Sequence, residues 1–356
     1  MASLWMELLK LDRVGIHDDF FALGGHSMLA VQMVSQLRKR AAIGIELRNL
    51  FSYPSLGALA AFVDSKKVAS AHPNLVPIRS QGHLAPLFLI HPVGGEVQYA
   101  FDLARHLGAD QPVYALAASG LVVGETPRAS INEMATVYLD AIRHVQPTGP
   151  YTVAGWSLGG MIAYEIAHQL LAIGETINFV GMIDTGSSAF LRDQWNTKNV
   201  TEFDECKAFL SWITDQHADA SGARQHPAHD ELVTLAESGD IDAMFVVCQR
   251  EALLPAHLDM ALVKQIFAVH IAGAKAGVAY ETPPITATVM LLTAGQHGAA
   301  DATLGWGDLL GENLHVTRIG GSHMSIVKSP HIEKLAHAIS SGIKRYSAHT
   351  ELSYAD

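Results

Sequence analysis

The 356-residue chain is 49% hydrophobic and 17% charged, with 24 Lys and Arg against 35 Asp and Glu and a formal net charge of −11. That length exceeds one small domain, and the apolar fraction is enough to fill sizeable cores. An acidic balance without basic runs excludes a nucleic-acid surface, which needs clustered positive charge to displace counterions from phosphate.

In chain order, Leu4 to Leu11 reads as a helix, and the abrupt start inside it reads as a segment cut from something longer. Met1 to Leu11 lacks the basic start and apolar block of a leader, and no apolar stretch approaches the roughly 20 residues of a membrane helix, so a cytoplasmic location is expected. Asp18-Asp19-Phe20-Phe21 leads into a turn at Gly24 and Gly25, after which Leu29, Met33 and Leu37 lay one stripe along a helix from Met28 to Lys39. A second short helix is expected from Ser55 to Val63, behind Pro54. Ala69 to Pro77, with two prolines and no period, reads as a linker. The expected division is a helical domain over residues 1–68, a linker over 69–76 and a larger domain over 77–348.

Beyond the linker, short apolar runs alternate with amphipathic stretches. Leu87 to Ile90, Val113 to Leu116, Tyr151 to Ala154, Phe179 to Ile183, Val289 to Leu292 and Leu314 to Ile319 have the continuous apolar character of buried parallel strands. Helical patterns lie between them, notably Leu158 to Ile173, closed by Gly174. Strands alternating with helices predict an α/β sheet. The stretch from Gly186 to about Tyr280 is helix-like without a strand and reads as a lid inserted over a site. Cys206 and Cys248 have neither ligand spacing nor a framework of partners and read as reduced thiols. His226 and His229 flank a proline without further ligands, so no metal site is expected.

Two serines stand out. Asp19-Phe20-Phe21-Ala22-Leu23-Gly24-Gly25-His26-Ser27, with Leu50-Phe51-Ser52-Tyr53-Pro54-Ser55 behind it, resembles the attachment motif of peptidyl carrier proteins from nonribosomal peptide synthetases across residues 4 to 65. That resemblance implies a four-helix bundle and a 4'-phosphopantetheine linked covalently to Ser27 by a phosphopantetheinyl transferase. The local chemistry agrees: the glycines permit a turn, and a helix N-terminus offers free N–H groups and a positive dipole end to a phosphodiester.

Gly155-Trp156-Ser157-Leu158-Gly159 has the pattern of a nucleophile elbow, placed directly after a strand and before a helix. A serine needs a base, and the base needs an acid to orient it. His323, in Gly320-Gly321-Ser322-His323 past the last strand, is the expected base. Asp184, at the end of the strand Phe179 to Ile183, is the expected acid, with Asp301 after the next strand as its rival. The oxyanion donors expected are the N–H groups of Leu158 and of Val93, the latter in the loop His91-Pro92-Val93-Gly94-Gly95. His91 reads as structural.

Together these features resemble the type I thioesterases that end nonribosomal peptide and polyketide assembly lines, over about residues 77 to 346. The resemblance implies an α/β-hydrolase with a helical lid that takes a peptidyl thioester from Ser27 to Ser157 and releases it by hydrolysis or ring closure. It implies upstream condensation and adenylation domains as partners. Polyketide or fatty-acyl release, or a carrier-centred interaction or proofreading module, are the alternatives.

Overall fold

The computed structural model describes residues 1–25, 27–41, 43–65, 72–194, 228–251, 253–254, 259–297 and 302–353. Asp301, Cys206, His226 and residues 69–71 of the expected linker lie outside them, as do residues 195–227 of the expected lid.

Four helices make the N-terminal unit: α1 (Ala2–Leu9), α2 (Ser27–Ala41), α3 (Leu47–Ser52) and α4 (Leu56–Ser65). The Asp19 carboxyl accepts the N–H groups of Phe21 at 2.8 Å and Ala22 at 2.9 Å, folding the chain into the turn that precedes α2. Gly24 has φ 98°, a conformation that only glycine adopts without strain. The helices close over Trp5, Phe20 and Phe51, all fully buried. Trp5 and Phe20 meet edge to face at 5.1 Å. Helix α3 was not expected, because six residues are too few to display a period.

The larger unit is a seven-stranded sheet with order β1-β3-β2-β4-β5-β6-β7. Its strands are β1 (Leu75–Arg79), β2 (Leu87–Ile90), β3 (Val113–Leu116), β4 (Tyr151–Trp156), β5 (Ile177–Ile183), β6 (Val289–Thr293) and β7 (Leu314–Arg318). Strands β2 to β7 are parallel, and β1 lies antiparallel to β3 at one edge. Strand β1 corrects the sequence reading, since Leu75 and Val76 fall inside the expected linker. Pro77 gave the linker signal, yet a proline is tolerated on an edge strand, where its missing N–H costs no ladder bond.

Burial on both faces explains the largely apolar texture of the inner strands β2 to β6. Leu87 and Leu89 of β2 join the core on one face, while Phe88 and Ile90 join the core on the other. Helices α5 (Gln98–His106) and, near the C-terminus, His331–Ser353 cover the first face; α6 (Ile131–Val145) and α7 (Leu158–Ala172) cover the second. Gly174, at φ 79°, closes α7 as expected, with its N–H and that of Glu175 bonded back to Leu171 and Leu170.

Between β5 and β6 the described residues form helices α8 (Ser188–Gln194), α9 (His229–Ser238), α10 (Ile241–Arg250) and α11 (Met260–Ala279), and none of them is in a strand. Helix α11 corrects a second expectation. Its 20 residues are long and apolar enough to cross a membrane by length and composition, and half of that window is buried here. Its buried residues cover a wide arc, with Phe267 and Ala274 on one side and Val269 and Ala276 on the other, because it packs against α7 and α8.

The helical unit sits on the sheet unit. Phe21 stacks on Phe51 at 5.3 Å and on Phe101 of α5 at 5.5 Å, so one apolar core runs through both. The Gln98 amide donates to the Gly25 carbonyl at 3.0 Å, and Asp259, the N-cap of α11, pairs with Arg38 at 2.8 Å.

Candidate active site

The site lies at the carboxyl ends of the parallel strands, where an open α/β sheet leaves a crevice. Ser157 forms the turn from β4 to α7 with φ 57° and ψ −124°, a strained backbone for a residue with a side chain. The glycines around it are obligatory. A Cβ on Gly155 would lie 2.7 Å from the Gly160 nitrogen, and one on Gly159 would lie 2.6 Å from the His91 carbonyl oxygen. The elbow is pinned from β5, whose backbone accepts the Ser157 N–H at the Ile183 carbonyl, 2.9 Å away. The Thr185 hydroxyl donates to the Ser157 carbonyl at 2.9 Å, a support the sequence reading did not identify.

Asp184 follows β5 with φ 45° and is buried, its backbone N–H bonded to Leu292 of β6 at 2.8 Å. One carboxylate oxygen, Oδ2, accepts His323 Nδ1–H at 2.8 Å. The other, Oδ1, accepts the Ala294 N–H at 2.7 Å and His297 Nε2 at 2.9 Å. Burial alone would push this carboxyl up. The hydrogen bonds from His323 and Ala294, and the charges of both imidazoles, outweigh it and hold the group below the usual carboxylate range. His323 also lies against Trp156, ring centroids 5.5 Å apart, and keeps over a third of its side chain exposed. Its Nδ1 is thus committed to Asp184 while the rest of the ring faces the crevice. The structure brings Ser157, Asp184 and His323 to one cavity wall.

Two cavities meet there. One, of about 200 Å³, is lined by Ser157, His323, Val93 and Trp156 and extends to Val31 and Leu47 of the helical unit. The other, of about 340 Å³, is lined by Ser157, Leu158, Asp184 and His323 and runs under α8 and α11 past Phe190, Leu191 and Val278. Val93 and His270 border both. Glu96 lines the first; enclosure pushes its carboxyl up, and the nearby His270 offsets part of that rise. Glu96, His270 and His297 were not singled out from sequence. Glu96 and His297 sit just after loop glycines, which is a signal of position alone, and His270 lies within the helix α11.

His91 is buried and structural, as expected. Its Nδ1–H donates to the Pro92 carbonyl and its Nε2 accepts the Tyr138 hydroxyl, each at 2.6 Å. Loss of hydration pushes its imidazole down to about 4, so it stands neutral and fixes the start of the Val93 loop. Ser27 is the first residue of α2, at a helix N-terminus, where the first N–H groups have no partner within the helix itself. The glycine turn before it, the helix end and the cavity that joins Val31 to Ser157 fit a tethered arm.

Residues 85–342 match the family described as Thioesterase domain, and residues 1–63 match that described as Phosphopantetheine attachment site. Dimodular nonribosomal peptide synthase of Bacillus subtilis is 40% identical over 191 residues, 54% of this chain and 8% of that protein. Malpibaldin synthetase of Mortierella alpina is 38% identical over 246 residues, 66% of this chain and 4% of that protein. The chain therefore spans less than a tenth of the length of these relatives. Among solved structures, a holo four-domain nonribosomal peptide synthetase bound to AMP and glycine aligns with TM-score 0.68 and 27% identity, over 96% of this chain and 25% of that one. The NocB thioesterase domain, in covalent complex with a fluorophosphonate nocardicin G analog, aligns with TM-score 0.55 and 20% identity over 74% and 96%. That likeness concerns the fold.

Proposed function

The chain belongs to the thioesterase domain family, behind a phosphopantetheine attachment site, and from this we propose that it performs chain release in nonribosomal peptide synthesis. The observation that carries the reading is the meeting of Ser157, His323 and the buried Asp184 in a crevice that reaches the helical unit bearing Ser27. We read residues 1–68 as the carrier, the stretch after them as a tether, and the helices within 186–280 as a lid over the acyl cavity. The partners we infer are upstream adenylation and condensation domains, a phosphopantetheinyl transferase and a peptidyl substrate, in the cytoplasm.

Phosphopantetheine on Ser27 supplies a mobile thioester. Ser157 Oγ attacks the thioester carbonyl carbon while His323 Nε2 takes its proton, and Asp184 holds the imidazole and stabilises the imidazolium. The N–H groups of Leu158 and Val93 receive the oxyanion. On collapse the C–S bond breaks and His323 returns the proton to the departing sulfur, leaving the acyl group as an ester on Ser157. Water or an internal amine or hydroxyl then attacks that ester, with His323 again as base, giving an acid or a ring.

The test loads Ser27 from a dipeptidyl coenzyme A with a transferase and follows discharge by intact mass spectrometry. Wild type should discharge, Ser157→Ala should hold the acyl group, and Ser27→Ala should never gain it. Discharge of Ser157→Ala at the wild-type rate would sink the mechanism.

A further inference from the structure

We propose that His297 is a positioning residue of the acyl-transfer centre, fixing the Asp184 carboxylate on which His323 depends. The inference rests on the reading of Asp184 as the acid partner of His323.

One carboxylate lies between two imidazoles. His323 takes Oδ2 at 2.8 Å, and His297 takes Oδ1 at 2.9 Å. Rotation about the last bond of an aspartate side chain is soft, a broad two-fold well rather than a narrow one. A single donor on Oδ1, the Ala294 N–H at 2.7 Å, leaves the carboxylate plane free to twist about that contact. A second donor from another direction removes the freedom, and Oδ2 is then held in the line of the His323 Nδ1–H bond. Because an ionised carboxylate only accepts, the network assigns the proton on His297 to Nε2.

The loop that carries His297 is built onto the loop that carries His323. The N–H groups of Gly295 and Gln296 both bond to the Gly321 carbonyl, at 2.8 and 3.2 Å. The Arg318 guanidinium, at the end of β7, caps the Gly295 carbonyl and reaches that of His297 at 3.4 Å. A Cβ on Gly295 would lie 3.1 Å from the Gly320 Cα and would crowd this seam. The two imidazoles therefore ride on one clipped unit, and their common carboxylate is buried between them. His297 keeps 17% of its side chain exposed and lines the same cavity as Ser157, yet its hydrogen bond goes to Asp184.

The test uses the whole chain and measures the rate at which a fluorophosphonate modifies Ser157, which needs no knowledge of the natural acyl group. His297→Ala should react at least about tenfold more slowly, the loss appropriate to one hydrogen bond on a charged group. Gln places its amide nitrogen near the position of Nε2, so His297→Gln should stay within about threefold of wild type. His297→Asn, whose amide falls short, should be as slow as the Ala variant. In proton NMR, the downfield signal of the His323 Nδ1–H should survive in the Gln variant and broaden or vanish in the other two. A wild-type labelling rate in His297→Ala overturns the proposal, as do equal rates for Gln and Asn. If the Ala variant does not fold, the Gln and Asn comparison alone decides. Failure of wild type itself to be labelled at Ser157 would count against the nucleophile reading, a result distinct from any outcome at His297.

Discussion

Lowering the pH should destabilise the fold through His91 by an amount that the structure specifies. The unfolded imidazole titrates at its ordinary 6.5 and the buried one at about 4. The folded protein refuses a proton that the unfolded chain accepts, so stability is complete above the unfolded value and is lost as pH falls through the window between the two. Linkage gives a loss of about 2 kcal/mol at pH 5 and about 3 kcal/mol at pH 4. The geometry explains the resistance. Nδ1–H is spent on the Pro92 carbonyl, and a proton on Nε2 would meet the Tyr138 hydroxyl that already points at it. The ring is 2% exposed, so water does not hydrate the charge.

Acid also protonates carboxylates across the chain, so the quantity to measure is a difference. Urea unfolding, followed by tryptophan fluorescence in wild type and His91→Gln between pH 7.5 and 4, isolates it. Gln can still donate to Pro92 and accept from Tyr138, but it does not titrate. The stability advantage of wild type should shrink by about 2 kcal/mol between pH 7.5 and 5. A difference that stays flat to within about 0.5 kcal/mol, near the limit of the extrapolation, would refute the burial argument.

Gly159→Ala should reduce release and fluorophosphonate labelling of Ser157 at least about a hundredfold while the far-UV spectrum stays native, since its Cβ would press on the Ile90 and His91 carbonyls and shift the elbow. Labelling within a few-fold of wild type would show that the elbow relaxes freely. Burial pushes the Cys248 thiol up to about 12, so at pH 8 it should resist iodoacetamide in the native protein and react on unfolding, as read by peptide mass mapping.

Residues with strong local signals were legible in the sequence. Strands β2 to β6 were, because a strand buried on both faces is largely apolar, whereas the edge strand β7 is mostly exposed and carries His315, Thr317 and Arg318 among its apolar residues. The elbow was too, because steric crowding demands glycine at Gly155 and Gly159. Strand β1 was hidden by Pro77, a residue that marks linkers and edge strands alike. Helix α11 did not read as an apolar span, because Lys264 and Lys275 interrupt it, although enclosure on several sides makes the rest apolar. The choice between Asp184 and Asp301 rested on strand order. The structure brings Asp184 to His323, while Asp301 lies outside the described residues. His297 left no periodic trace. Its position follows from the clip between two loops 26 residues apart, and a contact made by tertiary packing has no sequence spacing to reveal it.

The seat of the helical unit shows which forces matter there. Arg38 and Asp259 pair at 2.8 Å, but Arg38 is nearly half exposed, and such a pair contributes about 1 kcal/mol or less and is screened by salt. The Phe21 to Phe101 stack is different, for both rings are buried and each removes apolar surface from water on both sides of the boundary. A buried aromatic pair adds about 0.5–1.5 kcal/mol beyond its area, and the area itself is worth more. The ion pair therefore sets where α2 lies against the start of α11, and the rings set how firmly it stays. Helix α11 also lines both cavities at Ser157, through Ile266, His270 and Ala274. The helix that borders the cavities at Ser157 is thus the one whose first turn meets the helical unit, and apolar contact at Phe101 rather than charge at Asp259 dominates the hold between the two units.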